Sequence, residues 1–265
     1  MICDLGHKDV CVLRPRLQEN QEALADYPLC DETTFVKRVT HVLVLGGDGT
    51  LIYAASLFQD RIVPILGVHV GHVGFLNEVR PEKLQNILPH VLQGALLYDD
   101  RMRLRVSLLR QNVVLCERNV LNDAVLSIQA LARIGTYRLT CDTEPMTLIR
   151  GDGVIVSTPT GSTAYALAAG GSVLVPNVEV IAITPICSHQ LNQRQLVVSP
   201  SCVYRFEVMS ESAAFLTLDG QYGHPLEQHD VVEIHKASVP TRLMRVPEQS
   251  YFETLRTKLH WGHMG

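Results

Sequence analysis

The segment HVLVLGGDGTLIYAASLF, residues 41–58, joins a short apolar run to three glycines and then to a second apolar run. The first run predicts a buried strand, and Leu51, Ala54 and Phe58 in the second have the spacing of one helical face. Glycines between a strand and a helix let the backbone approach a phosphate group. Asp48 lies inside this turn, and because a carboxylate repels phosphate, its presence needs an explanation.

The same alternation continues after this segment. VPILGVHV, residues 63–70, predicts a second strand, and RPEKLQNILPHVLQG, residues 80–94, predicts a helix that Pro89 should kink. Strands that alternate with helices favour a parallel α/β sheet.

The pattern changes near residue 99. In RMRLRVSL, residues 101–108, apolar and polar side chains alternate, as they do in VYRFEVMS and DVVEIHK further along. This region is therefore predicted to be all-β. We interpret the basic side chains of Arg101, Arg103 and Arg105 as a solvated strand face.

The C-terminal segment predicts a last helix. Ser250 and Glu253 fit a capping box, and Phe252, Leu255 and Leu259 follow on one face. The predicted fold is an N-terminal α/β domain, residues 1–98 and 240–265, plus an all-β C-terminal domain, residues 99–239. We expect the tail to return to the α/β domain and the active site to lie in the crevice between the domains.

Composition excludes several functional classes. A net charge of −4 over 265 residues gives no general attraction to nucleic acid or to anionic membranes. No apolar stretch is long enough to span a bilayer, and the first residues do not resemble a signal peptide. Seven cysteines without a C-x-x-C motif favour a reducing compartment, so we expect a cytoplasmic protein.

Two further segments indicate a nucleotide ligand. GDGVIVSTPTGSTAYALAAGG, residues 151–171, combines many hydroxyl groups with a helix predicted to open near Ser162, which suits a polyhydroxylated anion. Asn122 and Asp123 in LNDAVL place an amide beside a carboxylate, and such a pair can hold a vicinal diol. The chain contains neither G-x-x-x-x-G-K-[ST] nor G-x-G-x-x-G, which excludes a P-loop and the common Rossmann fingerprint.

Together these motifs resemble those of the NAD kinase family. GGDGT, GVHVGHVGFL, LND, DGVIVSTPTGSTAYALAAGG, ITPIC, LDGQ and KLHWG follow one another in the family's order, from about residue 40 to the C-terminus. GGDG alone is a weak signal because lipid kinases share it, whereas the long motif with KLHWG is specific. The short N-terminal part departs from the family, which commonly has a fuller strand-helix-strand there.

The resemblance implies that ATP phosphorylates the 2′-hydroxyl of the adenosine ribose of NAD. Asp48 would accept the proton of that hydroxyl, which explains an acid in a phosphate-binding turn. The amides around Gly46, Gly47 and Gly49 would approach the donor phosphates, and Mg²⁺ would be bound through those phosphates rather than by a dedicated protein site.

The resemblance also assigns the other ligand contacts. Asn122 and Asp123 would hold the adenosine portion, Asp152 the nicotinamide side, and Arg150 the pyrophosphate. The remaining expected NAD or ATP contacts are Arg133, Thr160, Thr163, Ala164, Tyr165, Ala166, Leu167, Ala168 and Gln221. Family members are usually dimers or tetramers, so a homo-oligomer is expected.

Simpler interpretations compete with these roles. Asp48 could only stabilise a tight turn, Asn122 and Asp123 could form a turn or a cap, and Tyr165 could be a core aromatic residue. Two other functions also remain open. A lipid kinase of the diacylglycerol or sphingosine type would share GGDGT but has no need of the long motif. A non-catalytic dinucleotide sensor would be expected to have lost Asp48.

Overall fold

The computed structural model describes residues 10–13, 28–71, 74–77, 79–129, 134–190, 192–246 and 250–260. The chain divides into two compact units, unit 1 with residues 1–99 and 242–265, and unit 2 with residues 100–241. Unit 1 is α/β and unit 2 is all-β, so the predicted fold class is confirmed. Within the described part of the chain, no helix has the length and the apolar character that crossing a membrane requires.

The described residues of unit 1 form a four-stranded sheet and four α-helices. The sheet has the order β3 (Val42–Leu45), β4 (Ile65–Val68), β18 (Thr241–Arg245) and β5 (Leu97–Arg101), and β1 (Val12–Leu13) pairs separately with β2 (Leu29–Cys30). The helices are α1 (Glu32–Arg38), α2 (Asp48–Leu57), α3 (Leu84–Leu92) and α5 (Tyr251–Leu259). The C-terminal segment returns to this unit, as predicted. It also adds β18 to the sheet, which the sequence analysis did not predict, and both β3 and β18 run parallel to β4.

The helices of unit 1 follow the predicted apolar faces. Leu51, Ala54 and Phe58 are buried along α2, which begins at Asp48. In α3, Ile87 and Val91 enter a core with Leu66 and Val68 of β4, and this burial stabilises a helix that carries Pro89 in its interior.

Unit 2 consists of two antiparallel sheets of six strands each. The first has the order β10 (Glu144–Gly151), β9 (Gly135–Cys141), β14 (Tyr204–Val208), β17 (Val231–Lys236), β6 (Leu104–Arg110) and β7 (Val113–Val120). The second has the order β13 (Leu196–Val198), β12 (Ile181–Ile186), β11 (Gly153–Ser157), β8 (Asp123–Ile128), β15 (Ala214–Leu218) and β16 (Tyr222–Leu226). Both sheets contribute side chains to a single apolar core. The short helix α4 (Tyr165–Ala168) completes the unit.

The basic residues between the end of β5 and the start of β6 correct one prediction. The apolar alternation is confirmed, because the side chains of Met102, Leu104, Val106 and Leu108 enter the core. The opposite side is not simply solvated: Arg101 and Arg103 are buried, and only Arg105 is partly exposed, in an ion pair with Glu117. Arg101 donates to Thr160 and Arg103 to the carbonyl oxygen of Val239, and the alternation of residues cannot reveal such distant contacts.

The last helix also differs from its prediction. Ser250 occupies the N-cap position, but its side chain makes no capping hydrogen bond. Leu255 is buried, whereas Phe252 is 51% exposed, so the predicted apolar face is only partly buried. Trp261, the tryptophan of the KLHWG motif, lies outside the described residues.

Candidate active site

Asp48 accepts hydrogen bonds from three consecutive backbone amides. Phe75 donates to Oδ2 at 2.7 Å, and Leu76 and Asn77 donate to Oδ1 at 3.2 and 3.3 Å. A carboxylate has about four acceptor positions, so this contact uses most of them. Asp48 therefore does more than shape its own turn, because it holds a segment almost thirty residues away in the chain.

The glycines around Asp48 fall into two groups. A Cβ atom on Gly74 would lie 1.8 Å from Asp48 Oδ1, and one on Gly46 would lie 2.7 Å from Thr50 Oγ1, so packing requires both glycines. Gly47 and Gly49 differ, because a Cβ atom on either would meet no described atom within 4 Å. Nothing among the described residues of unit 1 explains these two glycines, whereas close approach by a ligand would.

Asn77 belongs to the same arrangement and was missed by the sequence analysis. Its Nδ2 donates to the carbonyl oxygen of Gly46 at 2.9 Å, and its Oδ1 is buried with no hydrogen-bond partner among the described residues. A Cβ atom on Gly67 would lie 2.0 Å from that oxygen, so Gly67 provides the space that Asn77 occupies.

Asn122 and Asp123 are the main candidate ligand-binding residues of unit 2. Asp123 is buried at the start of β8, opposite Ser157 at the end of β11. In the described part of the chain, neither Asn122 Oδ1 nor Ser157 Oγ has a hydrogen-bond partner, although both atoms are buried. Buried polar atoms are normally paired, so this cluster is suited to a ligand that supplies hydroxyl groups.

Asp219 orders this turn and was also missed by the sequence analysis. It accepts from the amide of Leu121 at 2.7 Å through Oδ2, and from Asn122 at 2.7 Å and Asp123 at 3.0 Å through Oδ1. The LDGQ motif contains a sequence signal for this role, since its Asp-Gly pair repeats the acid-glycine pair of GGDG. Only Gln221 of that motif was named in the sequence analysis.

The pKa values of both carboxylates in this cluster are raised. Burial, and to a lesser degree the charge of Asp219, raise the pKa of Asp123 to about 7. Burial also raises the pKa of Asp219 to about 6, against the opposing effects of the three amides and of Arg103. Perturbed carboxylates of this kind occur most often at functional sites.

The long glycine-rich motif packs closely on the Asn122 turn. The amide of Thr158 donates to the carbonyl oxygen of Asn122 at 2.9 Å, and its Oγ1 donates to Leu121 O at 2.6 Å. A Cβ atom on Gly161 would lie 2.1 Å from Asn122 O, so only glycine permits this approach. The 3₁₀ turn Thr160–Thr163 follows, and the helix predicted to open near Ser162 begins at Tyr165 as α4.

The other predicted contacts have varied surroundings. Tyr165 is 48% exposed, which contradicts a core aromatic role, while Ala166 is buried against Val125 and Ile155. Thr160 is buried and accepts from Arg101 at 3.5 Å. Partial or full exposure is shared by Arg150, Asp152, Thr163, Ala164, Leu167, Ala168 and Gln221. Arg133 lies outside the described residues.

A group of metal-ligand residues lies elsewhere in unit 2. The ligand atoms of Cys141, Asp142 and Cys202 lie within 4.8 Å of one another. Asp142 Oδ1 already accepts from the amide of Val203 at 2.9 Å, and the Arg205 guanidinium donates to Asp142 O at 2.7 Å. Because a cation would meet this positive charge, we assign no metal to the group.

Comparison with known proteins identifies similar chains. Residues 18–96 match the model of the ATP-NAD kinase N-terminal domain, and residues 121–246 match that of the ATP-NAD kinase C-terminal domain. The NAD kinase of Syntrophotalea carbinolica is 46% identical over 222 residues, which are 83% of this chain and 78% of that protein. The NAD kinase of Trichlorobacter lovleyi is 44% identical over 227 residues, 85% of this chain and 80% of that protein.

Solved structures show the same relationship. The crystal structure of yeast NADH kinase complexed with NADH has a TM-score of 0.85 and 26% identity, and the match covers 90% of this chain and 71% of that one. An NAD kinase from Archaeoglobus fulgidus has the same fold, with a TM-score of 0.74 and 24% identity over 94% of this chain and 98% of that one.

Proposed function

The chain belongs to the NAD kinase family, and on that premise we propose that it transfers the γ-phosphoryl group of ATP to NAD. The acceptor is the 2′-hydroxyl of the adenosine ribose, and the products are ADP and NADP. The reaction class follows from relatives that are 42–46% identical over most of the chain.

One observation in unit 2 carries the choice of acceptor. The Asn122 turn offers a buried carboxylate, a buried amide oxygen and a buried serine hydroxyl, and in the described residues neither the amide oxygen nor the hydroxyl has a partner. A ribose diol donates two hydroxyl hydrogens, which are what Asn122 Oδ1 and the Asp123 carboxylate accept. We propose that this turn binds the adenosine ribose of NAD.

The glycine turn of unit 1 supports the transfer step. The acceptor oxygen forms a bond to the γ-phosphorus, the bond from that phosphorus to the leaving oxygen of ADP breaks, and the hydroxyl proton goes to Asp48. The three amides that bind Asp48 fix its orientation and leave about one acceptor position for the substrate hydroxyl. A positioned base of this kind contributes about 10²–10⁴-fold to the rate.

We propose that Mg²⁺ enters as part of the substrate, MgATP. The hydrogen bonds of Asp48 fit this proposal, because a carboxylate that already accepts three amides has little capacity left for a metal ion. The ion neutralises charge on the donor phosphates. Gly47 and Gly49, which have open space where a Cβ would be, allow those phosphates to approach the start of α2.

A single assay tests the function. Purified protein is incubated with ATP, Mg²⁺ and NAD, and NADP is measured with an NADP-specific dehydrogenase. We expect ATP-dependent formation of NADP. Binding of NAD without NADP formation would favour a dinucleotide sensor. Phosphorylation of diacylglycerol or sphingosine in a parallel assay, without NADP formation, would favour a lipid kinase.

We further propose a cytoplasmic homo-dimer or homo-tetramer. At one edge of a sheet, β7 exposes Val113, Val114 and Leu115, and such an apolar edge is suited to pairing with a second copy. Light scattering after size-exclusion chromatography measures the assembly, and cell fractionation tests the location.

A further inference from the structure

We propose that Asp219 is a positioning residue for NAD. Its carboxylate fixes the backbone of Leu121, Asn122 and Asp123, so that Asn122 and Asp123 present their side-chain oxygens to the ribose. The inference rests on the proposed function, in which Asn122 and Asp123 bind the adenosine ribose. Asp219 itself acts through this turn and needs no contact with the substrate.

Asp219 both accepts hydrogen bonds from the turn and donates one to it. Oδ2 of Asp219 accepts one amide, at 2.7 Å, and Oδ1 accepts the next two, at 2.7 and 3.0 Å. In return, the amide of Asp219 donates to the carbonyl oxygen of Asp123 at 2.9 Å. Three consecutive amides directed at one carboxylate fix the orientation of their peptide planes, and with it the directions in which the side chains leave the backbone.

A simpler explanation concerns the hairpin between β15 and β16. Asp219 and Gly220 have φ values of 51° and 63°, and Asp-Gly is a usual pair for such a turn. This explains the residue type but not the position of the carboxylate, which faces a segment 96 to 98 residues earlier in the chain. Asn tolerates positive φ equally well, so the two explanations predict different results for Asp219→Asn.

Unit 1 contains the same arrangement around Asp48. There too an acid followed by glycine accepts three consecutive amides, and the segment that it holds contains a Leu-Asn pair, Leu76 and Asn77. In both segments, the Asn Oδ1 is buried and has no partner in the described part of the chain. The repetition indicates that in both units the acid orders a backbone segment that carries a buried asparagine oxygen.

Arg103 supports the ionised form of Asp219. It is buried, its Nε donates to Val239 O at 2.9 Å, and its charge lowers the pKa of Asp219. An ionised carboxylate accepts hydrogen bonds at every position, whereas a protonated one directs a hydrogen toward one of its neighbours.

The experiment compares full-length variants in steady-state kinetics. The variants are Asp219→Asn, Asp219→Ala, Asp123→Ala, the double variant of Asp123→Ala with Asp219→Ala, and Asp230→Ala as a matched control. Asp230 is a buried carboxylate of the same unit that accepts from a backbone amide and from Arg110, and it is remote in sequence from the proposed ribose contacts. Thermal melting monitors folding of each variant, and Asp219→Asn, which keeps the turn, carries the test if Asp219→Ala does not fold.

We expect the KM for NAD to rise about tenfold in Asp219→Asn and further in Asp219→Ala, while the KM for ATP stays the same. Asp230→Ala should melt at a lower temperature and keep the parent KM for NAD. The double variant should raise the KM for NAD by less than the product of the two single effects, because Asp219 acts in part through Asp123.

Failure of the inference and failure of the proposed function give different results. An unchanged KM for NAD in Asp123→Ala means that the ribose contact is wrong. If Asp123→Ala raises this KM and Asp219→Asn does not, the contact stands and the positioning role is wrong. Effects that multiply in the double variant also overturn the positioning role, because Asp219 would then act independently of the turn.

Discussion

A Cβ atom on Gly74 would lie 1.8 Å from Oδ1 of Asp48, so the carboxylate occupies the space that any other residue at position 74 would need. The next three residues donate their amides to the same carboxylate. A glycine and an acid that are 26 residues apart in the sequence therefore depend on each other, and the position of the acid can be tested through the glycine.

Gly74→Ala should displace the Asp48 carboxylate and lower kcat/KM by about 10²-fold or more. The double variant with Asp48→Ala should be no less active than Asp48→Ala alone, because the methyl group acts by moving a carboxylate that is then absent. Steady-state kinetics of the two single variants and the double variant provide the measurement. Additive losses would show that Gly74 has a separate role.

Asp48→Asn should lower kcat by about 10²-fold or more and leave the affinity for NAD nearly unchanged, because the amide keeps the size but cannot take the proton. Single-turnover kinetics measure the chemical step and calorimetry measures NAD binding. Because Asp48 also binds three amides, the melting temperature should fall slightly. A variant that keeps the parent kcat would exclude Asp48 as the base.

Gly49→Ala should separate folding from activity. Gly49 is the second residue of α2 and its Cβ would meet open space, so alanine should leave the fold intact and stabilise it by up to about 1 kcal/mol. If donor phosphates approach this backbone, the same methyl group should raise the KM for ATP. Melting and kinetics measure the two effects, and a variant with parent kinetics would remove Gly49 from the phosphate site.

The stability of the protein should fall as pH rises through the titration of Asp123 and Asp219. Their folded pKa values are about 7 and about 6, above the ordinary value of about 3.9 in an unfolded chain. Between these values the folded chain holds protons that the unfolded chain has lost, so the free energy of unfolding decreases from about pH 4 to pH 7. The destabilisation is complete above pH 7.

Asp123→Asn tests this dependence, because the amide does not ionise. At pH 8 the melting temperature of Asp123→Asn should exceed that of the parent, and at pH 5 the difference should be smaller. Asp219 remains ionisable beside Arg103 in both proteins. Subtracting one melting temperature from the other at each pH cancels the contribution of the titratable groups that both proteins share. A difference in melting temperature that stays constant from pH 5 to pH 8 would contradict the raised pKa of Asp123.

Leu255 and Phe252 form a matched pair on α5. Leu255 is 5% exposed and Phe252 is 51% exposed, so Leu255→Ala should cost about 2–4 kcal/mol and Phe252→Ala much less. Chemical denaturation of both variants measures the difference. Equal and small losses would show that the helix contributes little to the stability of the chain.

Local patterns predicted the parts of the structure that local sequence determines. The strand, glycine turn and helix of residues 41–58 could be predicted because apolar spacing, glycine and the helix start all lie within one short segment. The apolar face of Leu104, Val106 and Leu108 could be predicted because alternation in a strand has only two phases.

Tertiary contacts explain what the sequence could not predict. Arg101 and Arg103 carry charges that normally face solvent, and their burial depends on segments far away in the chain. The role of Asp219 could not be predicted because its partners lie at the turn before β8, 96 to 98 residues earlier in the chain. In α5, Phe252 and Leu255 share an apolar character, and only packing decides which of them is covered.

The separation between Asp219 and the turn that it holds has a consequence for biosynthesis. The three hydrogen bonds close loops of 96 to 98 residues, and such distant contacts form late because closing a long loop is entropically unfavourable. A nascent chain that ends before LDGQ already contains GGDG, LND and the long motif, yet its ribose-binding turn has no carboxylate to order it. NAD should therefore bind such a nascent chain more weakly than the complete protein, and its affinity should rise when the β15–β16 hairpin closes onto β8.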